Sequence, residues 1–170
     1  MLKDFNKKYE DYLNADGELQ RRLKGFKTFS GKPDGHYKRA RSEGEKAVAR
    51  AVRCYPFGGE SLIGENSEII GINITGTDEK LLISLINEKF SVKSDNWKKP
   101  FLAISLPLEK FKKAVLGRYR WIWLLGLDDV EVSYSEEIPH SDWVTIFEIL
   151  VAMQELPEFD NTLIDKVEGF

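Results

Sequence analysis

The sequence holds one cysteine, Cys54, and two histidines, His36 and His140. A lone cysteine forms no internal disulfide, and three such residues cannot assemble a Cys/His zinc cage. The surroundings of Cys54 suit a buried small hydrophobe rather than a reactive thiol. No run of eighteen apolar residues occurs, which excludes a transmembrane helix. The start, Met1 to Lys8, has no apolar stretch behind its charges, so it does not read as a secretory signal and a cytoplasmic protein is expected. Gly58-Gly59 and Gly64 lack the Lys-Ser/Thr or strand-to-helix context of a phosphate loop. The carboxylates Asp128-Asp129-Glu131 and Glu136-Glu137 do not alternate towards a distal Glu as a calcium loop requires, and read as turn and solvated surface. His140-Ser141-Asp142 are neighbours in a turn, a poor geometry for a triad, and Ser141 is better used as a helix cap. No residue set supports catalysis. The expectation is a protein that is not an enzyme, with no cofactor and no metal site.

What is present suits a folded domain. The chain has 170 residues, 42% hydrophobic and 31% charged, enough for one packed core and too apolar for global disorder. Its net charge of −3 is unevenly spread. Residues 1–53 carry 14 Lys and Arg against 8 Asp and Glu, net +6; residues 54–170 carry 11 against 20, net −9. The densest basic patch is His36-Tyr37-Lys38-Arg39-Ala40-Arg41. It reads as a solvated face or as a complement to the acidic remainder, because no nucleic-acid motif accompanies it.

Phe5, Tyr9, Tyr12 and Leu13 recur at helical spacing. Asp16 is placed to cap a second helix through Leu19, Leu23 and Phe26. Lys32-Pro33-Asp34-Gly35 is a turn signal. Residues 42–55 read as a helix with a Ser42–Glu45 capping box, ended by Pro56 and Gly58-Gly59. Ile70, Ile72 and Ile74 then alternate with Gly71, Asn73 and Thr75, a period-two strand. Leu81–Ile86 is a second strand. Asn87-Glu88-Lys89 either turns into a strand at Phe90-Ser91-Val92 or is run through. Phe101–Leu106 is a further strand, and Pro107 opens a helix holding Leu108, Phe111, Val115 and Leu116, which Gly117 stops. Val130, Val132 and Tyr134 alternate as a strand. Trp143, Ile146, Phe147, Leu150 and Val151 share one helical stripe, and Pro157 is expected to end that helix.

This order predicts an α+β fold, with helices covering one face of a mostly antiparallel sheet. The segment from Arg118 to Leu127 is apolar on every side, so periodicity does not decide its structure. It also carries Trp121 and Trp123, two of four tryptophans. Trp121-Ile122-Trp123-Leu124-Leu125 needs apolar surroundings on both sides. A core layer supplies one; the other is core again, a cavity, a partner or a dimer mate.

The run Leu102-Ala103-Ile104-Ser105-Leu106-Pro107-Leu108-Glu109-Lys110-Phe111, ending at Leu116-Gly117, resembles the strand-then-helix signature of sterol carrier protein-like (SCP2) domains. Strands before it, and an apolar Gly-containing segment, a strand and a closing helix after it, agree over about 70–165. Tyr9 to Asp16 is similar to the helical start of stand-alone microbial members. Two features depart from the pattern: a basic insertion at 32–66, and a strand at Gly126–Tyr134 without its final glycine. The resemblance implies a five-stranded, mostly antiparallel sheet with helices over one face and an apolar tunnel between them. It implies non-catalytic binding or transfer of a fatty acid, acyl-CoA or sterol, that is, lipid transport. Trp121, Trp123, Leu124, Phe147 and Leu150 are the lining residues expected on this reading, with Lys38, Arg39 and Arg41 meeting an anionic headgroup. The chain then reads as one domain: helices at 1–31, the insertion at 32–66 and the core at 67–165. The alternative is a protein-interaction or dimerisation module, such as a subunit of an acyl-CoA-handling complex, with the Trp-rich segment as its contact and a homodimer as one form.

Overall fold

The computed structural model describes residues 3–17, 19–20, 62–64, 66–136 and 138–159. The helix expected at 42–55, Cys54, His36 and the patch Lys38, Arg39 and Arg41 lie outside the described residues.

Among the described residues nine elements follow one another: α1 (Lys3–Ala15), β1 (Ser67–Thr75), β2 (Lys80–Ile86), β3 (Lys89–Lys93), β4 (Leu102–Pro107), α2 (Leu108–Val115), α3 (Trp121–Leu124), β5 (Glu131–Tyr134) and α4 (His140–Phe159). The strands form one sheet in the order β3-β2-β1-β4-β5. The fold is α+β. Three of the four strand pairings are antiparallel, and β1 lies parallel to β4. Tight hairpins account for the first two pairings. Asn87 and Glu88 both take positive φ, 49° and 66°, the primed-turn geometry whose twist matches flanking strands; the chain therefore turns there rather than running through. The link from β3 to β4 is no hairpin. It returns past β2, so β4 enters beside β1 in the same direction.

Cross-strand partners share a face. Ile70, Ile72 and Ile74 pair with Leu102, Ile104 and Leu106 on β4, while Ile83 and Leu81 oppose Ile70 and Ile72 on β2. Phe90 and Val92 extend this layer at the β3 edge. All are buried and join one core with Phe5, Tyr9, Leu13, Phe111, Trp121 and the inner side of α4. The opposite face holds small and polar residues, among them Asn73, Ser84 and Ser105, together with the buried Leu82. Gly71 lies there between Leu82 and Ala103, with Trp97 packed over its backbone. Glu68 holds the Trp97 loop in place, its Oε2 accepting from the Lys98 and Lys99 amides at 2.8 and 2.7 Å.

Asp16 does cap a following turn: its Oδ1 accepts from the Leu19 amide at 2.9 Å. At the end of α2, Gly117 takes φ +70°. Its amide bonds to the Ala114 carbonyl and that of Arg118 to the Lys113 carbonyl, a Schellman closure that favours glycine. Pro107 is the N-cap of α2 rather than its first helical residue. Pro157 does not end α4; it sits inside the helix. Proline leaves the carbonyl four residues earlier without its helical donor. That carbonyl belongs to Met153, and the Tyr9 hydroxyl donates to it from α1 at 3.4 Å.

Candidate apolar site at the Trp-rich turn

The undecided segment folds as a single helical turn, α3. Helical geometry separates its residues: Trp121 and Leu124 point into the core, Ile122 and Trp123 outward. Trp121 is 1% exposed and Trp123 67%. The Trp121 ring meets Phe111 edge-on, with centroids 6.2 Å apart. Phe5 meets Tyr9 at 4.4 Å and Phe111 at 5.9 Å, so four aromatics from three helices form one cluster. Burial pushes the Tyr9 phenol far above its ordinary range, and the facing Trp121 indole offsets part of that. Trp121 Nε1 itself finds no partner of full hydrogen-bond geometry.

Gln154 ties α3 to α4. Its Oε1 accepts from the Trp121 amide at 3.2 Å and its Nε2 donates to the Gly117 carbonyl at 3.3 Å. One side chain thus meets an unpaired amide at the start of a short helix and a carbonyl of the preceding turn. Beside it runs a groove of about 370 Å³, lined by Trp121, Ile122, Leu150, Val151, Gly117, Arg120, Gln154 and Glu155. Trp121, Ile122, Leu150 and Val151 make an apolar wall; Arg120, Gln154 and Glu155 make a polar one.

α4 carries apolar residues around most of its circumference. Ile146, Ile149, Leu150, Met153 and Leu156 are buried. Phe147 is 39% exposed and Val151 also reaches solvent. Trp143 stacks on Phe147 at 5.6 Å and meets Tyr134 of β5 at 5.5 Å. An aromatic row therefore runs along the outer side of α4 towards Val151. The broad stripe expected from the sequence divides into this outer row and the inner core side.

Of the five lining residues expected, Trp121 and Leu150 border the groove and Leu124 is buried beneath α3. Trp123 projects to solvent and Phe147 belongs to the outer row. Arg120, Ile122, Val151 and Gln154 were not singled out. For Ile122 the signal was the bracketing of 118–125 by Gly117 and Gly126, which marks a short turn element; nothing local marks Arg120, Val151 and Gln154, which meet only once α3 lies against α4. Asp142, once a triad candidate, is fully buried and its Oδ2 accepts from the Leu62 amide at 2.7 Å; it anchors backbone. Asp129 sits in a turn as expected, ion-paired with Lys110, whose hydrogen bond lowers the carboxyl's pKa. Among the described residues no three His, Cys, Asp or Glu side chains converge on a metal position. No helix among them is long and apolar enough to cross a membrane.

No protein-family profile matches the chain, and no curated protein matches it. Among solved structures, a chain described as "UbiJ-SCP2 Ubiquinone synthesis protein" aligns with 84% of this chain and 90% of its own, at 15% identity and a TM-score of 0.37.

Proposed function

We propose that the protein binds an apolar ligand of the fatty acid, acyl-CoA or sterol class and carries it without chemical conversion. The observation that supports this is the groove between α3 and α4. Its apolar wall suits a hydrocarbon chain, and Arg120 at its polar side suits an anionic head. A volume of about 370 Å³ lies at the small end for ligand sites and suits one chain rather than several. Each methylene buried there contributes about 0.8 kcal/mol. Ten of them therefore correspond to affinity of about micromolar order without covalent help. The resemblance of the strand-to-helix run to sterol carrier protein-like domains supports the same class of ligand.

Calorimetric titration with oleate tests the reading. Wild type is expected to bind one equivalent. Val151→Trp fills the groove from a solvent-reaching position and is expected to weaken binding at least about tenfold, the equivalent of losing about two buried methylenes, without lowering the melting temperature. A wild-type protein that takes up no oleate overturns it. The outer row of Tyr134, Trp143 and Phe147 favours a second reading, a contact between copies or with another subunit. That reading requires a mass by light scattering that rises with concentration.

A further inference from the structure

Between Lys110 and Leu127 the chain has five Lys or Arg and no Asp or Glu, although the whole carries net charge −3. Lys110 is paired with Asp129. Lys113, Arg118 and Arg120 are exposed. Lys113 stands over the Tyr119 ring at 5.2 Å and Arg120 over the Trp123 ring at 5.1 Å. Such contacts orient a cation without neutralising it. Within this basic collar protrude Ile122, Trp123 and Leu127, all exposed. Asp128, exposed just beyond Leu127, and Glu155, exposed in the groove wall that also holds Arg120, subtract from the field, which leaves the three exposed cations against two carboxylates.

We propose that this turn docks the protein on an anionic lipid bilayer, with Ile122, Trp123 and Leu127 entering the headgroup region and Lys113, Arg118 and Arg120 meeting lipid phosphates. Tryptophan has an apolar body and a polar N–H, the combination that settles at the membrane–water interface. Basic residues beside apolar ones add attraction to anionic lipid that neither set supplies alone. The guanidinium stacked on Trp123 favours lipid over protein as the occupant. A protein partner burying that ring would have to desolvate Arg120 or supply a carboxylate, whereas a phosphate reaches it at the bilayer surface. Arg120 and Ile122 also line the groove, so docking sets its rim against the lipid. Only that last consequence rests on the binding reading above.

Co-sedimentation with phosphatidylcholine vesicles, with and without phosphatidylserine, tests the proposal. Wild type is expected to bind phosphatidylserine vesicles at low salt and to leave them at high salt. Trp123→Ser and the double variant Arg118→Glu/Arg120→Glu are each expected to weaken binding at least about tenfold with unchanged melting temperature. Brominated acyl chains are expected to quench wild-type tryptophan fluorescence more than that of Trp123→Phe. Absence of vesicle binding at low salt overturns the proposal, as does binding that both variants leave intact. A concentration-dependent dimer that Trp123→Ser dissolves, without vesicle binding, assigns the patch to a second copy and overturns it too. Val151→Trp separates the two readings. Docking that persists while oleate uptake is lost supports this proposal, and oleate uptake by a wild type that ignores vesicles overturns docking alone.

Discussion

Gly71 acts through the side chain it lacks. A Cβ at that position would stand 2.6 Å from Trp97 Cδ2 and 2.8 Å from Cε2, closer than carbon atoms pack. The ring would have to lift, and Glu68 holds its loop through two backbone amides. Gly71→Ala is expected to cost about 1–3 kcal/mol, the range for overpacking a well-filled site, and to shift tryptophan emission to the red as Trp97 meets water. Urea unfolding beside an emission spectrum reads both. Tyr9 supplies a second residue-scale prediction. Its pKa is raised by burial from an ordinary value near 10, so the folded state keeps the phenolic proton to higher pH than the unfolded chain. The associated stability is complete below about pH 10 and drains as pH rises further, by about 1.4 kcal/mol per unit. Denaturation midpoints are expected to fall above pH 10 and to fall less steeply in Tyr9→Phe. That variant also leaves the Met153 carbonyl, already without its helical donor because of Pro157, without the Tyr9 hydroxyl, so it is expected to start less stable at pH 7.

Helix α1 closes the sheet edge by side-chain hydrogen bonds. Asn6 donates to Ser94 Oγ at 2.7 Å, Glu10 Oε2 accepts from the Val92 amide at 2.9 Å, and Asn14 bonds both the amide and the carbonyl of Phe90 at 2.9 and 2.8 Å. Four helical residues rise about 6 Å and two strand residues about 6.8 Å, so residues at spacing four meet every second residue of β3. An unprotected edge invites pairing with another chain. Asn14→Ala removes both bonds to Phe90 and the Asn14 Nδ2 bond to the Glu10 carbonyl and is expected to cost about 2–3 kcal/mol, with faster hydrogen exchange at the Phe90 amide as its local signature. None of this clamp was legible in the sequence, because which polar residues of α1 meet β3 is decided only once the helix lies against that edge. The strands were legible where one face is apolar and the other small, as at Ile70, Ile72 and Ile74. The parallel pairing of β1 with β4 was not, since a local pattern does not name a distant partner. At the candidate site, Trp121 and Leu150 stood out by type. Gln154 and Arg120 did not, because their roles exist only once α3 lies against α4.

The core joins the chain's distant parts into one unit, and α1 carries a large share of it. Phe5, Tyr9 and Leu13 are all buried, in contact with a cluster that includes Phe111 of α2 and Trp121 of α3. Burying three such side chains contributes about 6 kcal/mol, comparable with the whole net stability of an ordinary domain, about 5–15 kcal/mol. Removing α1 would also uncover Trp121, the inner wall of the groove, and free the backbone of β3 for strand addition. A chain lacking residues 1–15 is therefore expected to lose its cooperative thermal transition and to associate through the freed edge, seen as scattering that grows with time. The Asn14→Ala chain, which keeps the apolar side of α1, is expected to melt earlier but still in one step. If the truncated chain melts cooperatively near the wild-type temperature, α1 is a peripheral cover, and the groove must draw its rigidity from the sheet, α2 and α4 alone.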